Sequence, residues 1–143
     1  MTTVANVLQN KTSQDITTIS PDATVLSAIT LMASKGIGAV VVVHNQQVVG
    51  IISERDYTRK IALMERSSAQ TTVSEIMTSK VITVSRNHRV EECLDLMTDK
   101  HLRHLPVVEN EKLIGLVSIG DLVKATMEDQ KKLIQQLQQY ISG

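Results

Sequence analysis

The sequence predicts an α/β fold: two β-α-β-β-α repeats packed on each other in pseudo-two-fold symmetry, followed by a long C-terminal helix. Two observations carry this expectation. Slid against itself by 65 positions, the chain aligns residues 16–57 with 81–122 without a gap, and twelve of the forty-two pairs are identical. The second is a hydrophobic pattern that switches between the strand and helix periods at the same places in both copies.

Each element follows in order. Ile16–Ile19 and Val81–Val84 carry β-formers and end at polar or turn residues, so each reads as a short strand. Val25, Ala28, Ile29 and Met32 fall at i, i+3, i+4 and i+7, and Val90, Cys93, Leu94 and Met97 repeat that spacing. Two helices are predicted there. The apolar runs Ala39–Val43 with Val48–Ile52, and Leu105–Val108 with Leu113–Val117, are joined by His44-Asn45-Gln46-Gln47 and Glu109-Asn110-Glu111-Lys112. Such spacing reads as two hairpins. A second helix begins in each copy at Ser53 or Ser118. Upstream, Val4, Val7 and Lys11 resemble Val73, Ile76 and Lys80, with four extra residues, Thr12 to Asp15, in the first copy. The expected boundaries are 1–66 for the first repeat, 67–72 for a linker, 73–125 for the second repeat and 126–143 for the C-terminal extension.

Composition narrows the function. The core is aliphatic, because Tyr57 and Tyr140 are the only aromatic residues, and six methionines fill irregular gaps. Fifteen basic residues balance fifteen acidic ones, so no global field draws the chain to nucleic acid or to anionic lipid. Two tyrosines make no base-stacking platform. The single cysteine, Cys93, lies among apolar residues and reads as a buried, inert thiol rather than part of a disulfide or thiolate site. The N-terminus lacks the pattern of a signal peptide, and no apolar run reaches the roughly 18 residues of a membrane span. A cytoplasmic location is expected.

Ser53-Glu54-Arg55-Asp56 and Ser118-Ile119-Gly120-Asp121 each follow a strand and open a helix. Each can be a capping box, the serine satisfying an orphan helix N–H and the aspartate reaching back. The same geometry can serve a ligand, with exposed N–H groups and the helix dipole facing a phosphate and the aspartate facing a ribose diol. His101-x-x-His104 lies at a helix-to-strand junction without evident carboxylate or thiolate partners, so no metal is expected. Lys11, Lys35 and Lys100 read as solvated. No nucleophile, base and orienting acid group by motif, so no enzyme is expected.

The duplicated unit, with Gly50-Ile-Ile-Ser-x-x-Asp56, Gly115-Leu-Val-Ser-x-x-Asp121 and Arg103-His104-Leu105-Pro106-Val107-Val108, resembles a tandem pair of CBS (cystathionine-β-synthase-type) domains, a stand-alone Bateman module. The resemblance implies a regulatory module that binds adenosine-containing ligands in clefts between the repeats. AMP is the expected ligand, with ATP, ADP, NAD(H) or S-adenosylmethionine as alternatives. By the family's crosswise pattern, one cleft would combine Asp15, Thr17, Gly38 and Ala39 with Arg103, His104, Ser118 and Asp121. The other would combine Thr78, Lys80, Ile82, Arg103 and His104 with Ser53, Arg55 and Asp56. The copies depart from each other where Gly38-Ala39 and Val41 stand against Arg103-His104 and Pro106. That asymmetry favours the Ser118/Asp121 cleft for phosphate.

From Asp121 to Ile141 there is no glycine or proline, and Val123, Met127, Ile134, Leu137 and Ile141 keep a helical spacing, interrupted by Gln130. The helix containing Tyr57, Ile61 and Met64 offers a second apolar face. The resemblance implies a homodimer through these helices and a regulated protein partner. An assembly module that keeps the fold without binding nucleotide is the alternative reading.

Overall fold

The computed structural model describes residues 2–11 and 16–142. In chain order the elements are α1 (Val4–Gln9), β1 (Thr18–Ile19), α2 (Val25–Lys35), β2 (Ala39–His44), β3 (Gln47–Ser53) and α3 (Glu54–Tyr57). A π-helical turn, Thr58–Ala62, continues α3. Then follow α4 (Val73–Ile76), α5 (Val90–Lys100), β4 (His104–Glu109), β5 (Lys112–Ser118) and α6 (Ile119–Ser142). The result is a mixed α/β fold with a three-stranded sheet, β1-β2-β3, a two-stranded sheet, β4-β5, and a long C-terminal helix.

The chain divides into two compact units that cut across the sequence repeats. One draws on residues 1–14, 83–109 and 115–143, the other on 15–82 and 110–114. The segment upstream of each repeat therefore belongs to the unit built from the other repeat's body.

In the unit of the first repeat, β1 runs parallel to β2 with Thr18 opposite Val41, and β3 returns antiparallel to β2. The β2–β3 turn is Asn45-Gln46, both with positive φ (51° and 66°), the conformation that matches the twist of a two-residue hairpin. Its core packs Val25, Ala28 and Met32 of α2 on Val40, Val42 and Ile52, closed by Ile61, Val73 and Ile76. Residues 67–72 are hydrogen-bonded into this unit: Val25 N–H donates to Thr71 O at 2.8 Å, Leu26 N–H to Ser68 O at 2.9 Å, and Thr71 is buried. The expected linker thus caps the start of α2, supplying acceptors for orphan helix donors. The second helix is shorter than its apolar spacing suggests. Ile61 is buried, but Met64 lies past the π-helical turn and is exposed.

In the other unit, Val4, Val7, Val84, Val90, Cys93, Met97, Leu105, Val107, Val117 and Leu122 are buried, and α6 touches both α1 and α5. The strand expected over Val81–Val84 is reduced to one parallel bridge, Val84 to Val107. Val84 N–H donates to Pro106 O and Val108 N–H to Val84 O. The next rung would need an N–H at position 106, and proline has none. Val41, at the matching place in the first repeat, keeps its donor, and β1 survives as a strand there.

Candidate functional site: two serine–aspartate helix starts

In each unit a strand ends on a serine and turns directly into a helix. Ser53 is extended (φ −128°, ψ 165°) as the cap of α3. Its N–H donates to Asp56 Oδ2 at 3.0 Å, its hydroxyl to the same oxygen at 3.1 Å, and Asp56 N–H donates to Ser53 Oγ at 3.2 Å. Ser118 N–H donates to Asp121 Oδ2 at 2.9 Å, and Asp121 N–H to Ser118 Oγ at 3.1 Å. Both capping boxes are formed. They fix each aspartate rotamer beside the helix start, which orients the carboxylate whether or not a ligand uses it.

Around Asp56 the first unit gathers several expected residues. Ala39 opens β2 opposite Ser53, and Glu54 N–H donates to Gly38 O at 3.0 Å. A Cβ at Gly38 would meet Glu54 Oε1 at 3.0 Å, the end of a flexible side chain that would shift to make room. Thr78 joins by exchanging backbone hydrogen bonds with Ile51 (2.9 and 3.0 Å), and its hydroxyl reaches Asp56 Oδ1 at 3.5 Å. Thr17 is half-buried just before β1, Ile82 is half-buried, and Arg55 and Lys80 are exposed. Asp15 lies outside the described residues.

Around Asp121 the second unit places Arg103 and His104. Ile119 N–H donates to Arg103 O at 2.9 Å, the counterpart of the Glu54–Gly38 bond. His104 opens β4 and is half-buried, and Arg103, whose carbonyl meets the start of α6, is exposed.

Two lysines escaped the sequence reading. Lys60 Nζ pairs with Asp56 Oδ1 at 3.2 Å and donates to Ile76 O at 2.7 Å. Its i+4 position from Asp56 is the signal that could have found it. Lys11 is not the solvated lysine expected: its Nζ pairs with Asp121 Oδ2 at 3.1 Å and donates to Leu116 O at 2.8 Å. Lys11 and Asp121 also border a cleft of about 690 Å³, lined further by Asn6, Asn10, Lys124 and Glu128, within the size range of small-molecule sites. A second cleft of about 510 Å³ lies beside Gly38, Glu54 and Tyr57.

Among the described residues no group of three His, Cys, Asp or Glu side chains could hold a metal ion. Cys93 is buried, and that burial pushes its thiol up to about 11, so it stays protonated at neutral pH. No helix of the described residues is long and apolar enough to cross a membrane.

Comparison with known proteins draws these features together. The CBS domain family matches residues 4–63 and 73–128. "CBS domain-containing protein CBSX3, mitochondrial" of Arabidopsis thaliana is 41% identical over 150 residues, covering 99% of this chain and 73% of that protein. A putative signal-transduction protein with CBS domains from Burkholderia ambifaria MC40-6 is 51% identical with a TM-score of 0.86, covering 90% of this chain and 96% of that one. The CBS domain pair of protein MJ0100, solved with 5′-methylthioadenosine and S-adenosyl-L-methionine, shares the fold at 23% identity and a TM-score of 0.78, covering 90% of this chain and 98% of that one. With both repeats matched and their two Ser-x-x-Asp turns folded alike, this chain belongs to the CBS domain family, as a tandem pair.

Proposed function

We propose that the chain is a non-catalytic regulatory module that binds an adenosine-containing ligand at its serine–aspartate helix starts, with AMP the leading candidate. The observation that carries the reading is the duplicated Ser-x-x-Asp turn, each with its aspartate oriented by a closed capping box. A ribose diol would donate to the carboxylate. At Ser118 a phosphate would meet the N-terminal end of the 24-residue α6, beside the Arg103 guanidinium. A CBS pair of the same fold holds adenosyl ligands, which supports that class for this chain without choosing among AMP, ADP, ATP, NAD(H) and S-adenosylmethionine. Arg103 and His104 with the Asp121 turn, and Thr78, Lys80 and Ile82 with the Asp56 turn, remain part of the proposal.

Ligand would act by binding one arrangement of the chain more tightly than another, with a protein partner reading the change. Assembly as a homodimer is part of the same reading. Ile119, Val123, Met127, Ile134, Leu137 and Ile141 of α6 are exposed large apolar residues at helical spacing, an arrangement suited to burial against a second copy. Sedimentation at high micromolar concentration tests the dimer, which a monomer would refute. A cytoplasmic location is also proposed, and cell fractionation decides it.

Calorimetric titration with AMP, ADP, ATP, S-adenosylmethionine and NAD(H) tests the central reading. Binding of at least one is expected. Silence from all five with folded protein would leave the fold serving assembly alone.

A further inference from the structure

We propose that Lys11 is a ligand-displaced tether, so that occupancy at Asp121 loosens the docking of residues 2–11. This rests on the adenosyl-ligand reading above and assigns it a regulatory output. Residues 2–11 lie along their unit as a strap. Val4 N–H donates to His88 O, Ala5 N–H to Arg86 O and Val90 N–H to Thr2 O, while Thr2 Oγ1 donates to Asp129 Oδ2 at 2.6 Å. Leu8 packs over Gly115, where any Cβ would come within 2.7 Å of it. The strap reaches the helix start through Lys11, whose Nζ bridges Leu116 O and Asp121 Oδ2.

The corresponding segment of the other unit is held differently. There Thr78 exchanges two backbone hydrogen bonds with Ile51, and the cation on Asp56 is Lys60 of the same helical stretch. Displacing Lys60 would free the Ile76 carbonyl, but the two Thr78–Ile51 backbone bonds would still hold that segment. The position matching Lys60 is Ala125, so Asp121 draws its cation from the strap.

Asp121 Oδ2 already accepts Ser118 N–H and Lys11 Nζ. A ribose diol spread across both carboxylate oxygens would compete with one of them for Oδ2. The Ser118 bond is a backbone cap within a closed turn, whereas the Lys11 ammonium sits on a flexible stem beside the open cleft, so Lys11 yields. Linkage then requires ligand to weaken docking by the factor by which docking weakens ligand.

The test pairs AMP calorimetry with hydrogen exchange of residues 2–11, using the full chain and its Lys11→Met and Lys11→Arg variants. Lys11→Met is expected to bind AMP about three- to fivefold more tightly, the scale of a partly exposed ion pair, with Lys11→Arg near wild type. Saturating AMP is expected to speed exchange of the Val4, Ala5 and Val7 amides in the wild-type chain. A purely structural Lys11 would loosen the strap in Lys11→Met without tightening AMP. Equal or weaker binding by that variant, or unchanged wild-type exchange on AMP binding, overturns the tether and leaves the ligand reading standing. No heat from any chain overturns both. Should Lys11→Met fail to fold, wild-type exchange with and without AMP decides alone.

Discussion

The two halves solve one local problem with different parts. In each, an upstream segment crosses the last strand, a serine caps the following helix, and an aspartate closes the turn. In the first, that segment is stitched by paired backbone bonds between Thr78 and Ile51, and Asp56 takes its cation from four residues along its own helical stretch. In the second, α1 runs six residues where α4 runs four, so the chain is still helical where Thr78 is already extended. The carbonyl corresponding to Ile51, that of Leu116, is reached instead by the Lys11 side chain. Two extra helical residues thus replace a backbone stitch with a single ammonium.

Substitutions can break or sharpen that comparison. The largest effect should come from the core of the first unit: Ile52→Ala is expected to cost about 3 kcal/mol by denaturant unfolding, because Ile52 is wholly buried among α2 and β2 side chains. The next contrast lies at the ends of α2 and α5. Gly36 (φ 65°) and His101 (φ 56°) occupy the same left-handed cap position. Gly36→Ala should destabilise and His101→Gly should stabilise, each by about 1 kcal/mol, since only glycine adopts that conformation without cost. Ser53→Ala and Ser118→Ala should each lose about 1 kcal/mol as missing caps, and a much smaller loss at one would show that its turn is held by other contacts.

Smaller still is a pH effect at a capping box of the first half. Glu75 is held below the usual carboxylate range by the Thr72 N–H, with further contributions from the Thr72 hydroxyl and Arg66. A depressed folded value means that Glu75 adds stability above its unfolded pKa and loses it as pH falls through the lowered one. Acid unfolding curves of Glu75→Gln and wild type should therefore converge at low pH and separate toward neutrality.

The sequence made the duplication, the hairpins and both helix starts legible, because each is written in local spacing: the Asn45-Gln46 and Asn110-Glu111 turns, the Ser-x-x-Asp boxes and the apolar stripe of α6 all follow from neighbours within a few positions. What it hid is non-local. Lys11 lies 110 residues from Asp121, and no periodicity marks such a partner. The loss of the second repeat's first strand turns on which rung falls at Pro106, and register emerges only when the chain folds. Lys60 was within reach of helical spacing, and its replacement by Ala125 would have announced the asymmetry.

The most direct test compares AMP binding by Asp56→Ala and Asp121→Ala in calorimetry. If the Arg103-flanked helix start is the phosphate-binding one, Asp121→Ala abolishes AMP binding and Asp56→Ala retains it. Undiminished binding by Asp121→Ala would contradict the account, leaving the aspartate as a helix cap alone.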